Sequence, residues 1–308
     1  MSKNNTLISW SILLSLMLVW GSSFILIKKS LGYFSAVEVG VLRIAVTFLF
    51  LLPFAIVKLK GIDKKSRNNL IISGTIGSLI PSFLFAIAQT QISSFLAGTL
   101  NSLVPLFTLV MGIAFFKLKT SWYNILGVGV GLLGAIGLIY ASSGSIGFNS
   151  NIKFASLIII AAVCYAFNVN FIKIYLKHLD SITITALTFF YIGVPSFIYV
   201  VIFSEIPAKL INEENAIIGL GYVSILSIFG TGIALIAFNK LIKMSSPVFA
   251  SSVTYIIPIV AITWGIIDGE IFKVIYVAWF VLILIGLLLV NTTNNNKLHQ
   301  LLTNTKQK

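Results

Sequence analysis

The sequence predicts an all-α integral membrane protein of ten transmembrane helices, arranged as two inverted five-helix repeats. Three observations predict it. Hydrophobic residues fill 58% of the 308 positions and charged residues only 9%, against about 25% charged in a typical soluble domain. The apolar residues form long continuous runs. Residues of the first half recur in the second at matched spacing.

The runs lie near 8–28, 36–57, 69–89, 95–116, 122–141, 154–173, 182–203, 216–239, 247–268 and 274–292. Each is close to the ~20 residues a helix needs to cross a hydrocarbon core of about 30 Å. Helices are required because unpaired backbone groups do not face lipid, and a barrel would show short alternating strands instead. The connections are short and leave no room for an inserted soluble domain. Lys3 before the first run resembles a leader sequence. Trp20-Gly21-Ser22-Ser23-Phe24 continues the run where a cleavage site would stand, so it reads as a retained span. Residues 1–148 and 149–293 form the two repeats, and the polar stretch 294–308 reads as a disordered cytoplasmic tail.

The net charge of +13 is spread between the apolar runs. No basic stripe interleaves with aromatic residues, so no nucleic-acid partner is expected. The expected partners are the lipid bilayer and a small-molecule substrate, and a homodimer is compatible with the pattern. With the N-terminus inside, Lys58, Lys60, Lys64, Lys65, Arg67, Lys117, Lys119, Lys173, Lys177, Lys240 and Lys243 fall in inner segments. They outnumber the outer Lys28, Lys29, Lys153, Lys209 and Lys273. This bias predicts both termini in the cytoplasm and the chain in the plasma (inner) membrane. Cys164 is the single cysteine, which excludes an intramolecular disulfide and a cysteine-based metal site.

The repeat narrows the class. Trp20 through Leu31 aligns without gaps to Tyr165 through Leu176, placing Lys28 opposite Lys173. Gly77, Ser93, Ala97, Pro105 and Gly112 fall opposite Gly230, Ser246, Ala250, Pro258 and Gly265 at one constant offset. Each half holds five spans. An odd number forces the two halves to lie upside down relative to each other, the arrangement of alternating-access transporters with a midplane site between repeats.

Trp20-Gly21-x-x-Phe24, Arg43 in the second span, the Pro105 and Pro258 helices and the glycine-rich fifth span together resemble the EamA-type drug/metabolite transporters. The resemblance covers about 8 to 292. It implies export of amino acids, other metabolites or toxic compounds, and a central cavity lined by spans one, three, four, six, eight and nine. One departure stands out. The family often carries Gly-Glu after the fourth and ninth spans; here Gly269-Glu270 supplies it once, and Phe116-Lys117 replaces it in the first half.

Candidate substrate-binding residues follow from polarity inside the spans. An intramembrane arginine is costly and faces a partner or an aqueous cavity. Arg43 therefore reads either as a site for a substrate carboxylate or phosphate, or as a tie to nearby carbonyls with Glu38 close at the same end. Trp20, Ser23, Tyr165 and Asn168 occupy matched places in spans one and six; substrate contact and ordinary interhelix packing are both open for them. Gln89 ends span three. Asn101 precedes Pro105, and Thr254 and Tyr255 precede Pro258. A proline frees a carbonyl one turn earlier, so these positions can line a site, and Pro105 and Pro258 can act as hinges. Gly127-x-Gly129-x-Gly131-x-x-Gly134 contains GxGxxG, but no strand precedes it, so helix packing is its expected role. His178 and His299 lie far apart, no His/Cys/carboxylate cluster suggests a metal, and no ATP-binding loop is present. No metal or other cofactor is expected.

The expected function is secondary transport, with export of small polar or amphipathic metabolites such as amino acids, and no enzymatic activity. The competing readings are a polytopic membrane enzyme acting on lipid-linked substrates and a non-transporting scaffold.

Overall fold

The structure, a computed structural model, describes the backbone of residues 3–116, 118, 120–142 and 148–304, and the side chains of 8–116, 118, 120–142 and 152–290. Among the described residues there is no strand. Ten helices follow one another: α1 Ile8–Ser30, α2 Ala36–Lys58, α3 Lys64–Ala88, α4 Ser94–Phe116, α5 Trp122–Ser142, α6 Ile152–Tyr175, α7 Ser181–Phe203, α8 Ala216–Met244, α9 Pro247–Ile267 and α10 Ile275–Val290. Within the described set the first nine are long and apolar enough to cross a bilayer, and α10 has a shorter apolar stretch. Its helical backbone runs on to Asn304, past the expected end at 292. The side chains of 294–308, the expected disordered tail, lie outside the described residues.

The surface is turned inside out relative to a soluble fold. Val57, Phe203, Ile267 and Leu288 are exposed, whereas Thr47, Ser94, Thr108, Ser227 and Ser251 are buried. Apolar exteriors with small polar residues between helices are what a lipid solvent selects.

Helix starts are set by local capping. Ser35 accepts from the Glu38 amide and Glu38 returns a bond to the Ser35 amide, a capping box for α2. Asp63 accepts from Lys65 and Ser66, so α3 begins at Lys64, ahead of the apolar run expected from 69. Ser93 caps α4 through Leu96, and Ser246 caps α9 through Phe249.

Asp180 caps α7 through Thr183 and pairs with Lys58 at 3.2 Å. Burial pushes its carboxyl up, but the hydrogen bonds from Thr183 and Lys58 outweigh burial and hold it at about 2. A carboxyl lowered by folding stabilises the fold above its unfolded pKa of about 3.9 and loses that effect as pH falls toward the folded value. Asp180→Ala is therefore expected to cost about 1 kcal/mol at neutral pH. In detergent melts, the gap to the parent protein should narrow below about pH 4.

The duplication is built into this architecture. Ser35 and Asp180 are repeat-related caps, and so are Ser93 and Ser246. A π-helical turn at Thr75–Leu79 in α3 recurs at Ile228–Ile233 in α8. Both α4 and α9 break just ahead of Pro105 and Pro258: Ser102 and Leu103 donate to Thr99 and Leu100, and Ser252–Tyr255 form a 3-10 turn. The offset between halves is smaller for α1 and α2 than for α3 and α4. The change falls between α7 and α8, where the second half inserts the short helix Ile206–Asn212.

Gly127, Gly131 and Gly134 of α5 pack against α10, as expected, whereas Gly129 faces open space. A Cβ on Gly286 would lie 2.5 Å from the Gly131 amide nitrogen and 2.6 Å from the Gly127 carbonyl oxygen. Only hydrogen fits between backbones this close. Asn124 Nδ2 donates to the Val290 carbonyl at 2.5 Å and fixes the register.

Candidate substrate cavity

Between the repeats lies a cavity with about 100 Å³ open to the centres of water-sized molecules. One water needs roughly 10–15 Å³ by this measure, so the space holds several waters or a small solute. Its walls come from α1, α3, α4, α6, α8 and α9, the six spans expected, and also from α2 through Arg43 and Ile44. Trp20, Ser23, Arg43, Asn101, Tyr165, Asn168 and Thr254 all line it.

The π turns shape the two long walls. A π turn adds one residue to a helical turn and leaves a carbonyl without its usual partner. The Trp20 indole N–H donates to the Gly230 carbonyl inside the α8 turn at 2.9 Å, and the Trp20 ring meets Phe238 edge-on at 4.9 Å. The indole N–H is thus committed to the helix, and the ring is what Trp20 offers the cavity. A Cβ on Gly230 would sit 2.8 Å from Ser23 Oγ, and one on Gly77 would overlap the Asn168 carboxamide. Ser23 and Asn168 are repeat-related, and so are Gly230 and Gly77. The same small-residue contact therefore seats α1 on α8 and α6 on α3.

The breaks in α4 and α9 form the remaining wall. Pro105 and Pro258 lack the amides that would bond to Asn101 and Thr254 carbonyls, and both of those residues face the cavity. Asn101 Oδ1 is buried without a hydrogen-bond partner among the described residues. Thr254 Oγ1 donates to the Ser251 carbonyl at 3.0 Å.

Arg43 is the single charged side chain among the lining residues. Its Nε donates to Thr231 Oγ1 at 2.9 Å, and the Tyr165 hydroxyl lies beside its guanidinium. Among the described residues no carboxylate pairs with it. Glu38, its neighbour in sequence, is engaged by Lys209 at 2.8 Å and by the Ser35 cap. The rest of the wall is uncharged: small hydroxyl and carboxamide side chains stand among aromatic and aliphatic ones, with Phe24, Phe85, Tyr165 and Phe238 prominent. A cation in an apolar, partly closed space attracts an anionic group far more strongly than it would in water.

Gln89 and Tyr255 lie outside the lining. Gln89 is fully buried at the end of α3, where Nε2 donates to the Phe24 carbonyl at 2.9 Å and its own carbonyl accepts from Lys28 at 3.2 Å. Tyr255 is half-buried against the core beside the α9 break. Asn170, close to Asn168 in sequence, donates instead to the Thr108 carbonyl at 3.0 Å and ties α6 to α4. Thr231, Asn239 and Ser78 line the cavity and were not among the expected residues. Gly77 and Gly230 already marked the neighbourhood of Ser78 and Thr231. Nothing in the sequence marked Asn239, because Ala86 stands at its repeat-related place.

The repeat-related lysines cap helix ends. Lys28 holds Gln89 at the end of α3. Lys173 donates to the carbonyls of Ile242, Lys243 and Ser245 at 2.7, 3.1 and 2.6 Å, at the end of α8. Lysine at a C-terminus satisfies orphan carbonyls and complements the helix dipole.

Glu270 accounts for the broken symmetry of the Gly-Glu pair. Gly269 adopts φ +82°, a left-handed conformation suited to glycine, and turns the chain so that the Glu270 carboxylate caps α4. It accepts from the Ser94 amide at 2.8 Å and the Phe95 amide at 3.4 Å. The repeat-related residue to Ser94 is Pro247, which has no amide hydrogen to offer an acid.

Comparison with known proteins agrees with this architecture. The model of the EamA-like transporter family matches residues 8–140 and again 152–292. The uncharacterized inner membrane transporter YedA of Escherichia coli (strain K12) is 26% identical over 260 residues, covering 82% of this chain and 80% of that protein. An uncharacterized transporter of Archaeoglobus fulgidus is 23% identical over 284 residues, covering 91% and 98%. A solved protein crystal structure shares the fold with a TM-score of 0.62 at 16% identity, covering 96% of this chain and 99% of the other. With a cavity between its two five-helix repeats and a family match across both, the chain belongs to the EamA-like transporter family and is an integral membrane transporter.

Proposed function

We propose that this transporter exports small polar or amphipathic metabolites by alternating access, with amino acids as the first class to test. The observation that carries the reading is the lone guanidinium of Arg43 in an aromatic cavity between two inverted repeats. An anionic group on the solute pairs with Arg43, and the aromatic walls take its apolar part. The paired breaks at Pro105 and Pro258 serve as hinges for rocking one half against the other. All eight acids of the chain stand at helix ends or in connections, so coupling through a carboxylate at membrane depth finds no support. Transport then proceeds by exchange, by facilitated diffusion or by coupling through the solute's own charge. The lysine-rich inner connections put both termini in the cytoplasm.

Counterflow in proteoliposomes tests this. Liposomes holding the purified protein are preloaded with unlabelled amino acids and offered labelled ones, with Trp20→Ala and Arg43→Gln as controls. Accumulation of unchanged label that depends on Arg43 supports the carrier. Chemical conversion of a lipid-linked substrate would point to an enzyme, and absence of flux for every metabolite offered would point to a scaffold.

A further inference from the structure

A second, smaller pocket adjoins the main cavity, with about 20 Å³ open to the centres of water-sized molecules. That is room for one group the size of a water or an ammonium. Ser73, Asn168, Thr185, Thr188 and Asn239 bring oxygen atoms to it from α3, α6, α7 and α8. It shares Ser78, Asn168, Ile172, Leu235 and Asn239 with the main cavity, so the two are continuous.

One of its buried oxygens, Asn239 Oδ1, can only accept, and the Thr188 hydroxyl can accept or donate. Ser73 Oγ donates to Asn168 Oδ1 at 2.8 Å. Thr185 Oγ1 spends its hydrogen on the Ser181 carbonyl at 2.9 Å, so it can only accept from Asn239 Nδ2, at 3.0 Å. This fixes the Asn239 carboxamide with Oδ1 turned away from Thr185. Asn239 Oδ1 and Thr188 Oγ1 are both buried without a hydrogen-bond partner among the described residues, and the two residues are 4% and 6% exposed. Buried polar atoms left unmade in a native fold call for an explanation, and here the ready one is a ligand that donates.

The duplication relates Thr188 to the cation. At the offset that pairs Trp20 with Tyr165, Arg43 pairs with Thr188. Thr231, which holds Arg43, pairs with Ser78 at the offset of the π turns. One repeat thus sets a guanidinium where the other sets neutral oxygens. We propose that the small pocket receives the hydrogen-bond-donating head, an ammonium or protonated amine, of a solute whose anionic group sits on Arg43. This rests on the reading of Arg43 given above. The cavity is then bipolar, and Thr188 and Asn239 are its specificity-determining residues.

The test measures binding to the purified protein for amino acids paired with their des-amino analogues: leucine with isocaproate, and phenylalanine with hydrocinnamate. The parent protein should bind the ammonium-bearing member of at least one pair about tenfold more tightly, the worth of one hydrogen bond to a charged group. Thr188→Val keeps the side-chain shape and should bring that ratio close to one without weakening the des-amino member. Asn239→Asp should raise it. Melting temperatures confirm that both variants fold. A parent protein that prefers neither member of any pair, binds none of them, or keeps its preference unchanged in both variants overturns the inference. In those cases the pocket holds only water. If both members bind equally and Arg43→Gln abolishes both, the Arg43 reading survives alone. If Arg43→Gln leaves isocaproate and hydrocinnamate binding intact, that reading fails first.

Discussion

Arg43→Gln is expected to lower the transport efficiency for an anionic solute by about 30- to 100-fold while leaving the protein folded. A hydrogen bond to a charged group contributes about 1.5–3 kcal/mol, and a bidentate guanidinium–carboxylate pair reaches the upper part of that range. Each 1.4 kcal/mol is tenfold. Folding should survive because the charge itself is a burden inside a bilayer. Glutamine keeps an amide for Thr231 and takes no partner from any carboxylate. Arg43→Lys should fall between, since a point charge on a flexible stem replaces a planar fork. Counterflow with an anionic solute, read beside the melting temperature, decides the matter. Unchanged transport in the folded glutamine variant would return Arg43 to the structural role of a tie between α2 and α8.

Gly286→Leu is expected to destabilise the fold by about 3 kcal/mol or more, at the upper end for overpacked sites. The reason is what the new side chain meets. Its Cβ would strike backbone atoms of Gly127 and Gly131, and backbone cannot rotate aside as a flexible side chain does. α10 would have to separate from α5 along its length. Gly129→Leu is the control, because a Cβ there meets nothing within 4 Å. Thermal melts and the yield of monodisperse protein in detergent should fall for Gly286→Leu and not for Gly129→Leu. Equal behaviour of the two would sink the close-packing account.

The helical membrane fold and its two repeats were legible because they rest on patterns that extend over the whole chain. Apolar runs of bilayer length leave a helix few alternatives, and five residue pairs at one offset, Pro105 with Pro258 among them, are hard to produce by chance. The six spans around the cavity followed from the family resemblance. Individual site residues were less legible, because a polar side chain in a span serves packing and binding equally well. Asn168 and Asn170 show this: two residues apart on one helix, one faces the cavity and the other holds the α4 backbone. Gln89 drew attention by its polarity, yet it closes the end of α3 against α1. Glu38 was adjacent to Arg43 in sequence but turned to Lys209, which comes from the short helix peculiar to the second half. The π turns had no sequence signal beyond Gly77 and Gly230, since a glycine match reads as tight packing as readily as a widened helical turn.

The Glu270 cap bears on why the Gly-Glu pair stands in one half only. With Pro247 at the start of α9, an acid at the repeat-related position 117 would lack the amide hydrogen that Ser94 offers Glu270. A glutamate introduced at 117 gains little until position 247 has an N–H, while replacing Pro247 first leaves an uncapped amide. Restoring the pair therefore takes two substitutions, and neither alone is expected to stabilise α9.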